Sequence, residues 1–146
     1  MNTKKQHMLK AFILLLPIYS ISCLANQSAA YDDAQALGAC AGMLEFTSQI
    51  LAAQGKPASA ENFHQKANGW RIATMGALSE ANWKPENINS TADSIYNSAL
   101  TNWQSKIERN DPDIISALEL SASKCQEINE KQESYRKAMK QKLSTN

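Results

Sequence analysis

Histidine is almost missing from this chain, whose 146 residues include only His7 and His64. A structural zinc site takes four nitrogen or sulfur ligands, and a nucleophilic triad needs a histidine base beside its nucleophile. The chain has three cysteines but no Cys-x-x-Cys-His motif for haem attachment. The sequence therefore predicts no metal site and no cofactor.

Complete catalytic motifs are missing as well. Glu61-x-x-His64 has the spacing used by di-iron bundle proteins, but no second Glu-x-x-His occurs. Ser121-Ala122-Ser123-Lys124 matches Ser-x-x-Lys in letters only, because it falls in the middle of a predicted helix without companion motifs. We therefore predict that the protein is not an enzyme.

A strong excess of one charge is also missing, with 15 Lys and Arg against 14 Asp and Glu and a net charge of +1. The charge falls to −2 when residues 1–25 are removed, because their charged residues are Lys4, Lys5 and Lys10. Nucleic-acid binding leaves a basic footprint, so no nucleic-acid partner is expected. No apolar run after residue 25 looks long enough to cross a bilayer, so no transmembrane span is predicted.

The N-terminus has the three-part pattern of a secretory signal peptide. Met1–Lys10 is basic, Ala11–Ile21 is almost wholly apolar, and Cys23-Leu24-Ala25 offers small residues at the −3 and −1 positions. The apolar run is about half the length that a spanning helix needs, and Pro17 interrupts it. The sequence thus predicts a cleaved signal over residues 1–25, a single domain over residues 26–146, and a periplasmic or secreted location.

Two alternatives remain open at this end of the chain. Cleavage after Ala30 is the first, because Ser28-Ala29-Ala30 also has small residues at the required positions. The second is lipidation, because Ser20-Ile21-Ser22-Cys23 resembles the signal of bacterial lipoproteins, which are cut before a cysteine that receives lipid. A lipid on Cys23 would anchor the domain to a membrane.

Removal of Cys23 with the signal leaves Cys40 and Cys125. An even number of cysteines in an oxidising compartment predicts a disulfide. It would close a loop of about 85 residues, for which the chain-entropy relation gives a stabilisation on the order of 4–5 kcal/mol. We predict a Cys40–Cys125 bridge.

Apolar residues recur at helical spacing in four segments, each bounded by Gly, Pro, Asn or Asp. The first two are predicted over Tyr31–Gln54, stopped by Gly55-Lys56-Pro57, and from an N-cap at Ser59 to a stop at Asn82-Trp83-Lys84-Pro85. The last two are predicted from an N-cap at Asn89 or Ser90 to Asn110, and over Pro112–Leu143 with Asp111 as N-cap.

Four amphipathic helices with short connections predict an all-α fold, a small up-down-up-down four-helix bundle. The first and last helices are then antiparallel neighbours. Cys40 and Cys125 lie at the centres of the apolar stripes of these helices, which independently favours their bridge. The last two turns of the fourth helix are expected to project beyond the bundle.

Three residues form the predicted partner-binding surface. Gly38 and Gly42 make a Gly-x-x-x-Gly on the side of the first helix opposite Cys40, where a partner helix could approach closely. Trp83 lies in a connection between helices, and tryptophan is a common anchor of protein interfaces. We therefore expect a non-catalytic cell-envelope protein that binds another protein, as an inhibitor, an immunity-type protein or an accessory subunit.

The alternative function is that of a carrier for a small apolar ligand. It would place a slot between the helices, lined by Trp70, Tyr96 and Trp103. Core packing of these three aromatic side chains is the competing explanation.

Overall fold

The structure, a computed structural model, describes the backbone of residues 18–145 and the side chains of residues 26–145. Residues 1–17 of the predicted signal peptide, and the side chains of its remaining residues including Cys23, therefore lie outside the described part. The described chain forms five helices and no strand, which confirms the all-α prediction. The helices are α1 (Ile18–Ala53), α2 (Pro57–Glu80), α3 (Pro85–Glu108), α4 (Ile114–Glu127) and α5 (Asn129–Ser144).

The prediction of four helices is wrong in its count, because the fourth segment is broken at Ile128. The break accompanies a change of packing partner: α4 is bonded to α1 through Cys125, whereas α5 lies on α2. The expectation that the last two turns project beyond the bundle is also wrong. Met139 is buried, and Lys142 Nζ donates a hydrogen bond of 2.7 Å to Ser79 Oγ.

Contacts with α1 give the direction of each helix. α2 runs antiparallel to α1, α3 runs parallel to it, and α4 and α5 together run antiparallel to it. The contacting pairs are Ser48–Ala60 and Tyr31–Trp83 for α2, Gly38–Ile95 and Gln49–Gln104 for α3, and Cys40–Cys125 and Asp33–Tyr135 for α4 and α5.

α1 is the central helix of the fold. The sequence pattern predicts burial of one stripe around Cys40, but α2, α3 and α4 contact α1 on different sides. Its buried residues consequently go round the helix: Ala30, Ala34, Leu37, Gly38, Cys40, Ala41, Gly42, Met43, Phe46 and Ser48. By length and composition alone, Asn26–Ala53 would pass as a membrane span, contrary to the expectation from sequence, but half of its most apolar window is buried inside the fold.

α1, α2 and α3 end in the same way, with a left-handed residue just after the helix. Gly55, Asn82 and Asn110 have φ of 71°, 58° and 49°. In each case the next amide bonds back to a carbonyl five residues earlier, as in a Schellman motif. The predicted stop at Gly55 is confirmed.

The predicted starts of α2 and α3 are wrong. α2 begins at Pro57 rather than after Ser59, and α3 begins at Pro85, several residues before Asn89. Proline suits the first helical position, since its ring fixes φ and it has no N–H to leave unpaired. Neither helix has a side-chain cap.

The predicted start of the fourth segment shifts too. Asp111 Oδ1 accepts a bond of 3.0 Å from the N–H of Asp113, so Asp111 closes a turn and α4 starts at Ile114. This bond, and after it Lys106, lower the pKa of the Asp111 carboxyl.

Candidate functional site

The Schellman motif at the end of α2 determines the position of Trp83. Its N–H donates to the carbonyl of Leu78 at 3.1 Å, immediately after the left-handed Asn82. The indole ring stacks on Tyr31 of α1, with 5.7 Å between ring centroids and 11° between ring planes. Trp83 is nevertheless 37% exposed. The stacked pair presents an ordered aromatic surface at the end of the bundle where α1 enters the fold.

Gly38 and Gly42 do not belong to this surface. A Cβ on Gly42 would lie 2.8 Å from the amide N of Leu100, and one on Gly38 would lie 3.1 Å from the Cβ of Ile95. Both glycines are buried against α3. The prediction that they line a groove open to a partner is therefore wrong: the close approach that small residues allow is used inside the chain.

Two grooves run along either side of α4. The first, the α2-side groove, has a volume of about 790 Å³ and lies between α1, α2 and α4. Its apolar lining includes Met43, Leu44, Phe63, Trp70 and Leu118, with Lys66 and Glu119 also on its wall.

The second groove, the α3-side groove, has a volume of about 530 Å³ and lies between α1, α3 and α4. Cys40, Trp103 and Ile128 line it, as do the polar Asn102 and Lys124. Cys125 contributes to both grooves, so the disulfide lies between them. The bridge itself is the predicted one, with 5.8 Å between the Cα atoms of Cys40 and Cys125.

The predicted ligand slot is not assembled as a single cavity. Trp70 lines the α2-side groove, while Trp103 lines the α3-side groove and stacks on Phe46 with centroids 5.9 Å apart. Tyr96 lines neither groove and contacts Glu45. Trp70 and Trp103 are both buried in the core cluster.

A polar network that sequence reasoning missed joins α1, α2 and α3. His64 Nδ1 lies 2.7 Å from Oε2 of Glu45, and its Nε2 lies 3.2 Å from the side-chain amide of Asn68. Burial, reinforced by the Glu45 carboxylate, raises the pKa of Tyr96 to about 12. Glu45 and His64 are 19 residues apart on different helices, so no local pattern in the sequence could have paired them.

A histidine beside a carboxylate is the arrangement of a general base. Here both ring nitrogens of His64 have protein partners, and neither α4 groove includes His64 or Glu45. The neighbouring Arg71 bonds to Asp93 and, at 2.8 Å, to Asn89. The network therefore has the character of a structural tie between three helices.

Among the described residues, no group of three or more His, Cys, Asp and Glu side chains could hold a metal ion. Comparison with protein-family models, with curated protein sequences and with solved structures found no match to this chain. The function must therefore be argued from the geometry of the chain itself.

Proposed function

We propose that this chain is an exported protein of the cell envelope that acts by binding a protein partner and catalyses no reaction. The observation that carries the proposal is Trp83, which remains 37% exposed although its ring is already ordered against Tyr31. An aromatic side chain held in place before binding loses little conformational entropy on association. Because Gly38 and Gly42 are buried against α3, the proposed partner surface consists of the stacked pair Tyr31 and Trp83.

Export is supported by two separate features. The N-terminal residues have the pattern of a signal peptide, and a Cys40–Cys125 disulfide is compatible with an oxidising compartment. Burial favours cleavage after Ala25, because Ala30 is 5% exposed and cleavage after Ala30 would remove it from the fold. The intact mass of the purified envelope protein tests this: it gives the cleavage site, detects lipid on Cys23, and records the hydrogen loss of disulfide formation.

Partner binding is tested by comparing Trp83→Ala with Ile107→Ala, since Ile107 is another exposed large apolar residue, near the end of α3. A partner is first isolated from the envelope fraction with the wild-type chain, and its affinity is then measured by calorimetry. We expect Trp83→Ala to weaken binding by more than about tenfold, as for an interface hot spot. Ile107→Ala should change the affinity by less than about threefold, and Trp83→Phe should recover part of the loss. Equal affinities for the wild type and Trp83→Ala would refute this surface.

The second candidate, an apolar-ligand carrier, is favoured by the α2-side groove and its Trp70 wall. Titration with a fatty acid and with an apolar dye should then change tryptophan fluorescence. Leu118→Arg would place a charge in the groove and abolish the change, whereas Trp83→Ala would leave the ligand affinity as it was. No response of the wild type to either ligand excludes the carrier.

A further inference from the structure

α4 and α5 are attached to the body of the protein in different ways. α5 is held by polar bonds along its length. Lys131 and Tyr135 both bond to Asp33 of α1, at 2.8 and 2.9 Å, and Gln132 Nε2 donates to the carbonyl of Gly69 at 3.2 Å. Within residues 26–145, no side chain of α4 forms a hydrogen bond or ion pair with another helix. Among the described residues, the side chains of α4 are bonded to the rest of the protein through the Cys40–Cys125 disulfide alone.

The apolar packing of α4 is also thin. Cys125 is its one buried residue among those described, while Ile115 and Leu120 are 63% and 58% exposed. Side chains such as Ile114 and Leu118 pack on the core but stay half-buried. Burial of apolar area is the main source of stability for a packed helix, so α4 gains less from its position than the other helices.

The helical backbone is interrupted at both ends of α4. Before it lies the turn that follows Asn110, whose φ is 49°. After it comes Ile128, where the helical direction is interrupted. α4 is therefore separated from α3 and from α5 by an interruption of the helical backbone at each end.

From these contacts we infer that α4 is a lid over the core, latched by the Cys40–Cys125 disulfide and opened by a protein dithiol that reaches the bridge through the α3-side groove. The inference goes beyond partner binding and does not depend on Trp83. Opening would widen the α2-side groove and expose more of its apolar wall, including Met43 and Leu44.

The chemistry of opening is thiol–disulfide exchange. A thiolate of the dithiol attacks one sulfur of the bridge, forming a mixed disulfide, and the other cysteine leaves as a thiolate and takes up a proton. The second thiol of the reductant then attacks the mixed disulfide, releasing the first cysteine as a thiol and oxidising the dithiol. Cys40 and Cys125 both line the α3-side groove, and the ammonium group of Lys124 on its wall favours an approaching thiolate.

Hydrogen exchange of the full-length mature chain tests the lid directly. Exchange is compared between the oxidised protein, the protein reduced with dithiothreitol, and Cys40→Ser/Cys125→Ser. Loss of the bridge removes its constraint on the unfolded chain and so raises exchange in every helix, but the rise in residues 114–127 should exceed that in α2 and α5 by at least about tenfold. Unchanged protection of α4 would refute the latch. A rise of the same size in α1, α2 and α5 as in α4 would refute it as well, because the disulfide would then support the whole fold and not α4 in particular.

The route of the reductant is tested by filling each groove in turn. Asn102→Trp places a bulky side chain on the α3-side groove, and Lys66→Trp does the same on the α2-side groove; both positions are exposed. The rate at which dithiothreitol reduces the bridge without denaturant should fall by about fivefold or more in Asn102→Trp and stay close to the wild-type rate in Lys66→Trp. The same rate in both variants would exclude the α3-side route, as would a bridge that resists reduction until the protein unfolds.

Discussion

Replacement of Gly42 by alanine measures how closely α1 and α3 approach each other. The added Cβ would lie 2.6 Å from the Cβ of Ala99 and 2.8 Å from both the amide N of Leu100 and the carbonyl O of Tyr96. Carbon atoms pack best at about 3.5–4.0 Å, so the two helices would have to separate by on the order of 1 Å. Two of the three close atoms belong to the backbone and cannot turn aside.

Two opposing effects set the magnitude. Overpacking of a close contact costs about 1–3 kcal/mol, while alanine in place of glycine inside a helix gains about 1 kcal/mol. All three contacts of the added Cβ lie below 3.0 Å, which places the cost at about 2–3 kcal/mol, so we expect Gly42→Ala to lower the free energy of unfolding by about 1–2 kcal/mol. Gly69→Ala is the matched control: its Cβ would lie 3.7 Å from Cδ of Arg136, an ordinary contact, so the helix gain remains and stability rises by up to about 1 kcal/mol.

Urea unfolding of the oxidised proteins, followed by far-UV circular dichroism, separates the two variants. With an m value of about 1–1.5 kcal/mol/M, the midpoint should fall by roughly 1 M for Gly42→Ala and rise by roughly 0.5 M for Gly69→Ala. A Gly42→Ala midpoint at or above that of the wild type would refute the close approach of α1 and α3. It would also reopen the expectation that Gly42 faces a partner.

Three further outcomes are expected. Because burial and Glu45 raise the pKa of Tyr96 from 10.0 in the unfolded chain to about 12, its contribution to stability is complete below pH 10 and is lost as the pH rises through about 12. Between pH 10 and about 12, the free energy of unfolding measured by denaturant titration should fall less for Tyr96→Phe than for the wild type. Asn82→Gly should raise the melting temperature by up to a few degrees, because glycine adopts the positive φ at this helix end without cost, whereas Asn82→Val should lower it. Ser48→Ala should cost about 1 kcal/mol in urea unfolding, since its buried hydroxyl donates a 2.7 Å bond to the carbonyl of Ala60; no loss would show that this bond contributes nothing net.

Local chemistry accounts for much of what could be predicted. The stop at Gly55 follows from a single residue type and its need for a left-handed conformation. The Cys40–Cys125 pair follows from the number of cysteines after the predicted signal and from their positions on two apolar stripes. Both predictions depend on short-range rules or on counting, and neither requires the tertiary structure.

The central position of α1 could not be read from its periodicity. The residues that face α3 include Gly38 and Gly42, and small residues add little to an apolar pattern even where they are fully buried. The sequence pattern places the starts of α2 and α3 too late, because Pro57 and Pro85 fit the stops of the preceding helices, although proline also suits the first turn of a helix. No Gly or Pro near Ile128 marks the break between α4 and α5. The break accompanies the packing of α5 on α2, which is a tertiary contact that the local sequence does not encode.

The position of α1 also constrains the order in which this protein can fold. Its partners lie far along the chain: Cys40 is 85 residues from Cys125, and Asp33 is 102 residues from Tyr135. Contacts between residues so distant in sequence slow folding, because the loop entropy is lost before the contacts stabilise the chain. The helix made first thus keeps part of its apolar surface uncovered until α4 and α5 have emerged. Oxidation of Cys40 and Cys125 together to the disulfide is therefore a late event, and the fraction of chains oxidised over time would measure completion of the fold.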